Sequence, residues 1–154
     1  MTLLALAFLI GVVAGLRAMT APAAVSWAAH LGRLPLEGSG LGWLAAAATP
    51  WIFTALAAAE LVTDQLPRTP SRKTPMQFGT RIVSGALCGA AIGAGGGMPV
   101  AGAVAGALGA VAGTLGGAHV RSRLARGFGG DRPAALVEDA AAIAGAVLIV
   151  ASLP

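Results

Sequence analysis

The residues able to do chemistry in this chain are six ionisable side chains set inside, or at the rim of, long apolar stretches: Arg17, Glu60, Asp64, Arg81, Glu138 and Asp139. A charge at the centre of a bilayer costs on the order of 3 kcal/mol even on insertion scales, so such groups pair with one another or line a cavity. An arginine in that setting attracts an anionic group, and a carboxylate is a site for a proton or a cation. Glu60 and Asp64 are four residues apart and share one helix face. Arg17 lies deep in the first apolar run, where it reaches a headgroup only if the helix breaks. Arg17 and Glu60 are therefore expected to be coupled across a polar pathway. The others have plainer readings as well. Asp64 reads as a solvated acid at a helix end and Arg81 as a snorkelling side chain. Glu138 and Asp139, about 100° apart on a helix, cannot share a face, so at least one is expected at the headgroups or against the N-terminal dipole of its helix.

Other chemistries lack their residues. The single cysteine, Cys88, leaves no intrachain disulfide and no cysteine-based metal site. His30 and His119 are too far apart in sequence for a local metal-ligand pair. No phosphate-binding GxxxxGK[ST], HExxH or G-x-S-x-G pattern occurs. No catalytic residue, metal or cofactor is expected. Composition narrows the class further, because 56% of the residues are hydrophobic and 10% charged, with mean hydropathy +0.81. A soluble domain carries about 25% charged residues. The net charge of +4 and pI near 11.1 would suit a nucleic-acid binder, but the basic residues cluster between apolar runs, which suits membrane loops, and no nucleic-acid partner is expected.

The elements that must position these side chains follow from the apolar runs. Five transmembrane helices are expected in one all-α polytopic domain, roughly residues 3–29, 43–66, 78–95, 99–119 and 133–153. The first run would be roughly 40 Å long, against a hydrocarbon core of about 30 Å. Pro22 cannot donate to the Ala18 carbonyl, so the run is expected to break between Ala18 and Pro22, as one kinked span or as two half-helices. Discontinuous helices form the substrate sites of many transporters; Met19 and Thr20 would add soft and hydroxyl contacts there. The run Gly95-Gly96-Gly97-Met98-Pro99 divides a charge-free stretch into a tight helical hairpin. Asp131 is expected to cap the last helix, with Pro133 in its first turn.

Glycines recur every four residues at Gly85, Gly89 and Gly93, then at Gly102 and Gly106, then at Gly109, Gly113 and Gly117. Such ridges let helix backbones approach closely, within the hairpin or at an oligomer interface. Arg68, Arg72 and Lys73 fall in one expected loop, and Arg121, Arg123, Arg126 and Arg132 in another, two spans away. The positive-inside rule then places both loops and the N-terminus in the cytoplasm, with Trp27 and Trp43 flanking an outer loop.

Two tetrads, Leu61-Val62-Thr63-Asp64 and Leu136-Val137-Glu138-Asp139, match in pattern, and Gly-X-Arg occurs at both Arg17 and Arg81. The match would fit a duplicated half, against which the first tetrad closes a helix and the second opens one. Taken with Gly15-Leu16-Arg17-Ala18-Met19-Thr20-Ala21-Pro22, Glu60-Leu61-Val62-Thr63-Asp64-Gln65-Leu66-Pro67 and Arg81-Ile82-Val83-Ser84-Gly85-Ala86, the chain resembles a family of small bacterial inner-membrane proteins catalogued as a domain of unknown function. The resemblance covers essentially the whole chain. It implies a bacterial inner-membrane location and no particular activity. The leading functional expectation is a small oligomeric transporter or channel for an ion or a small solute, an anionic one if Arg17 receives it. The lipid bilayer and further copies of the chain would be its partners. A non-transporting scaffold or accessory subunit is the alternative. A lipid-active membrane enzyme stands third, since no nucleophile–base arrangement supports it.

Overall fold

The computed structural model describes residues 2–64 and 74–154. Its helices are α1 (Leu3–Leu16), α2 (Thr20–His30), α3 (Thr49–Thr63), α4 (Pro75–Ala94), α5 (Pro99–Phe128) and α6 (Asp131–Ala151), with a 3-10 turn at Gly42–Ala45. Among the described residues there is no strand, so the all-α class holds. Long α5 forms the spine. α1 and α4 pack along it, α6 covers α5 and α1, and α2 sits between α3, α4 and α6.

The first apolar run does break, at Arg17–Met19, slightly before the expected Ala18–Pro22 interval. Arg17 is extended (φ −139°, ψ 113°), and the helix restarts at Thr20. Pro22 falls in the first turn of α2, where a missing N–H is tolerated. The carbonyl it leaves unserved, that of Ala18, accepts the Ser84 hydroxyl at 2.5 Å.

Several expected boundaries move. The second helix begins at Thr49 rather than at residue 43, because residues 42–45 form a 3-10 turn and Pro50 takes the first turn of α3. α4 opens at Pro75, a few residues early. α5 continues past residue 119 to Phe128, so Arg121, Arg123 and Arg126 ride on a helix rather than in a loop. No proline interrupts residues 120–127 and arginine is a good helix former; the stop comes at Gly129, whose φ of 70° closes the helix left-handed. Asp131 does not cap α6. Gly130 holds that position without a side-chain cap, and the Asp131 carboxylate turns to Arg121 instead. Arg68, Arg72, Lys73 and the end of the expected second span lie outside the described residues.

Two helices among the described residues are both long and apolar enough to cross a membrane, α5 and α6, with mean hydropathy 1.5 and 2.0 over their most apolar stretches. α4 has the length, with 20 residues, but carries Gln77, Thr80, Arg81 and Ser84 in its first half. α1 and α3 are apolar but shorter. The core is apolar, with Leu6, Ile10, Val25 and Ile92 buried, yet it also encloses charge and leaves large apolar side chains outside. Arg17 and Arg81 are the largest fully buried side chains, while Val104, Leu108, Leu115, Ile143, Val147 and Leu148 are exposed on α5 and α6.

The glycines explain how the helices come so close. A Cβ added at Gly89 would overlap the Gly102 carbonyl oxygen, and one at Gly106 would overlap that of Gly85. α4 and α5 are thus in backbone contact through the expected ridges. Gly109 and Gly113 face a different neighbour: an added Cβ there would overlap the carbonyl oxygens of Phe8 and Val12 on α1. α1 answers with its own pair, Gly11 and Gly15, against Gly106 and Ala110. α5 therefore presents two smooth faces, one to α4 and one to α1. Gly117 is half-buried and lines a cleft towards α6. On this basis Gly106→Ala should lose about 1–3 kcal/mol of stability, because backbones must separate. Gly116→Ala, whose Cβ would meet nothing within 4 Å, should be neutral or gain up to about 1 kcal/mol from helix propensity. Denaturant unfolding of the purified variants measures both.

Candidate functional site

A helix broken in an apolar interior leaves carbonyls without partners at the end of its first half and N–H groups without partners at the start of its second. The first end carries partial negative charge and the second partial positive charge. Both are met here by side chains from other helices. Arg81, on α4, donates from Nη1 to the Gly15 and Leu16 carbonyls, each at 2.6 Å. Glu60, on α3, accepts the Ala18 N–H on Oε1 and the Met19 N–H on Oε2, each at 2.8 Å. Each ionic group matches the sign of the helix end it serves. Arg81 Nη2 also lies 3.7 Å from Glu60 Oε1, so the two caps form an ion pair across the break. The Thr114 hydroxyl, bonded to the Ala110 carbonyl at 2.8 Å, adds a longer contact of 3.3 Å to the Gly15 carbonyl.

Arg17 occupies the break itself and is fully buried. Its guanidinium pairs with Asp64, just past the last residue of α3, and with Asp139 on α6. A second arginine network lies beside the first: Arg121 bonds Asp131 at 2.9 and 2.5 Å and reaches Glu138 at 3.3 Å. Around the break, the carboxylates of Glu60, Asp64 and Asp139 thus face the guanidiniums of Arg17 and Arg81.

All six ionisable residues singled out from the sequence are brought into these two networks, with corrections to the roles expected of them. Arg17 does not pair with Glu60. Glu60 is held by two backbone N–H groups, and Asp64, one turn further along α3, reaches Arg17 instead. Arg81 does not snorkel, being 1% exposed, because the α1 carbonyls draw it inward. Neither Glu138 nor Asp139 faces headgroups; they are 7% and 8% exposed. α6 lies over both α1 and α5, so adjacent residues reach Arg17 at the break after α1 and Arg121 on α5. Met19 is half-buried, and its N–H rather than its sulfur serves the site. Thr20 is buried in the first turn of α2, and its hydroxyl has no hydrogen-bond partner among the described residues.

The matching tetrads acquire a physical meaning: the aspartate of each ends on the same arginine. Ser84, Thr114 and the Gly11–Gly15 pair were not singled out from the sequence. Signals for two of them exist. Pro22 demands a donor for the Ala18 carbonyl, and Gly11 and Gly15 repeat the spacing of the other glycines. Among the described residues, no group of three His, Cys, Asp or Glu side chains is placed to hold a metal ion. No protein family, curated protein or solved structure matches this chain.

The pairing makes a direct prediction. Arg17→Met should cost about 3 kcal/mol, because it removes the buried guanidinium that a half-buried and a buried carboxylate both face. In double-mutant cycles, Arg17 with Asp139 should couple by roughly 1–3 kcal/mol, and Arg17 with Glu60 by clearly less. Chemical unfolding of the single and double variants gives these energies.

Proposed function

We propose that the chain is a polytopic membrane protein with five crossings, the first made by α1 and α2 together. Its N-terminus would lie in the cytoplasm of a bacterial inner membrane. It would act there as a small oligomeric transporter or channel whose ion site is the charged centre at the break. The exposed leucines and valines of α5 and α6, together with the buried Arg17 and Arg81, support the membrane reading, because lipid accepts apolar side chains and forces charges inward. The resemblance to small inner-membrane proteins supports the location. The basic residues near the C-terminal end of α5 support the orientation.

The observation that carries the transport reading is that ionisable side chains hold both half-helix ends. Irregular backbone at membrane depth persists only against protein or a wet cavity, and half-helix ends are where transporters bind their cargo. The pairing of Arg17 favours a proton or another small cation over an anion. Arg17 already faces two carboxylates, so it has little field left for an anion. The acids are also the accessible members: the side chains of Glu60, Asp64 and Asp139 are 14%, 16% and 12% exposed, against 0% for Arg17. Glu60 is the best-placed carrier. A proton arriving on it removes the charge that holds the Ala18 and Met19 N–H groups, which links ion binding to the geometry of the break.

A non-transporting scaffold is the second reading. α3 favours it, with Pro50 its one buried residue and Trp51, Ile52, Leu56 and Val62 exposed for a partner or a further copy of the chain. Purified protein reconstituted into vesicles with an internal pH dye separates the two. The wild type should collapse an imposed pH gradient, and Glu60→Gln should slow the collapse to the rate of protein-free vesicles while eluting as the wild type does in gel filtration. Wild-type vesicles that hold proton, sodium, potassium and chloride gradients as well as empty ones would leave the scaffold reading standing.

A further inference from the structure

Thr20 is the exception among the threonines of the described helices, whose hydroxyls otherwise donate to carbonyls. Thr54, Thr80 and Thr114 use the carbonyl four residues back, at 2.7, 2.9 and 2.8 Å. Thr49 and Thr63 use those of Trp43 and Glu60. For Thr20 the carbonyl four residues back is that of Leu16, across the break, and Arg81 takes it. The Thr20 hydroxyl is therefore buried with no partner among the described residues, in a residue only 8% exposed. Arg17 Nε, three residues earlier, is a second buried donor without a partner there. A buried polar atom left dry is costly, and in native structures such atoms mark an ordered water or ion.

The place of this hydroxyl in the chain points to its ligand. Thr20 directly follows Met19, whose N–H donates to Glu60 Oε2 at 2.8 Å. Helical side chains tilt towards the N-terminus of their helix, so Thr20 leans towards the end of α2 that Glu60 closes. Two hydrogen bonds of about 2.8 Å let one small molecule join polar atoms roughly 5 Å apart. An anion would be repelled by the Glu60 carboxylate. A metal ion lacks ligands, since no three His, Cys, Asp or Glu side chains are placed to hold one among the described residues. Water fits: it needs one lone pair of a carboxylate that offers about four, and a hydroxyl that gives or accepts.

We infer that the Thr20 hydroxyl holds a water molecule beside Glu60, and that this water hands the transported proton to the Glu60 carboxylate. The inference rests on the proton reading above and names the last step of that proton's path. A proton arriving on the water as hydronium passes on by breaking one O–H bond there and forming one on a Glu60 oxygen. Neutral water stays on Thr20. Thr20 is thus a positioning residue, acting through the water.

Thr20→Val keeps the shape of the side chain and removes the hydroxyl, which separates a wet site from a dry one. In full-length protein it should lower the thermal midpoint by a few degrees, because the water loses its anchor. In vesicles with an internal pH dye it should slow proton flux about tenfold or more, whereas Thr20→Ser should stay within about twofold of the wild type. A raised midpoint in Thr20→Val means that the hydroxyl is dry, and overturns the inference. Wild-type flux in that variant overturns the proton-delivering role. Crystals of the wild-type protein grown in bromide test the ligand itself, whatever the variants do. Density within hydrogen-bond distance of Thr20 Oγ1 and without anomalous signal is expected. An anomalous peak there would give the place to an anion, and bare density would leave it dry; either result overturns the inference. The transport reading is judged separately, by wild-type flux. Vesicles of wild-type protein that hold their pH gradient would refute that reading and the proton's path with it, while the midpoint and the density still decide the water site.

Discussion

The bond pattern on which this structure turns is the capping of an interrupted helix by charge. Arg81 closes the carbonyl end of α1 and Glu60 closes the amide end of α2. In an apolar interior neither end can be left open, since an unsatisfied buried polar group costs about 1–3 kcal/mol and more when charge is involved. Neutral side chains could have served in part, as Ser84 does for the Ala18 carbonyl. Ionic caps answer the dipole of each half-helix as well as its hydrogen bonds. They also create a further demand, because each buried charge needs a counter-charge. The Glu60–Arg81 contact supplies one, and Arg17 with its two aspartates supplies the rest.

Close packing and charge placement are one device rather than two. Arg81 can reach the end of α1 only if α4 and α1 both lie tight against α5. Gly85, one turn beyond Arg81, sits against Gly106 and Ala110, and Gly15, whose carbonyl Arg81 binds, sits against Ala110 and Thr114. A methyl group at any of these positions would push apart backbones whose spacing sets the reach of the guanidinium. The glycines thus act on the charged centre at a distance of one helix turn, through geometry alone.

Buried ion pairs are weak evidence for stability in general, because desolvation offsets much of their attraction and well-packed apolar residues often do as well. Their value here lies in what they connect. α3 packs on α2 and on the 3-10 turn, with Trp27 bonded to Thr54 and stacked edge-on against Trp51 near its start. At its other end it is fastened by Glu60 and Asp64. The bonds holding the end of α3 to the break are therefore the same bonds a proton or cation would compete for. That coincidence ties occupancy of the acids to the position of a helix and gives the transport reading a physical mechanism.

Much of the architecture was legible in the chain. Composition and the lengths of the apolar runs specified helices and no strands; Pro22 specified the break; the glycine run ending at Met98 specified the hairpin. The ionisable residues of the centre stood out because their cost in an apolar setting is independent of fold. What the sequence could not settle was the partner of each charge. Glu60 and Asp64 lie on one helix face and either could have met Arg17. The choice fell to Asp64 only because the N–H groups exposed by the break sit opposite Glu60. Adjacent Glu138 and Asp139 both turned inward because α6 lies between two arginines, Arg17 at the break and Arg121 on α5. Local pattern determines which residues must be paired, since desolvation is a property of the side chain; which pairs form is a matter of distance, and distance belongs to the tertiary structure.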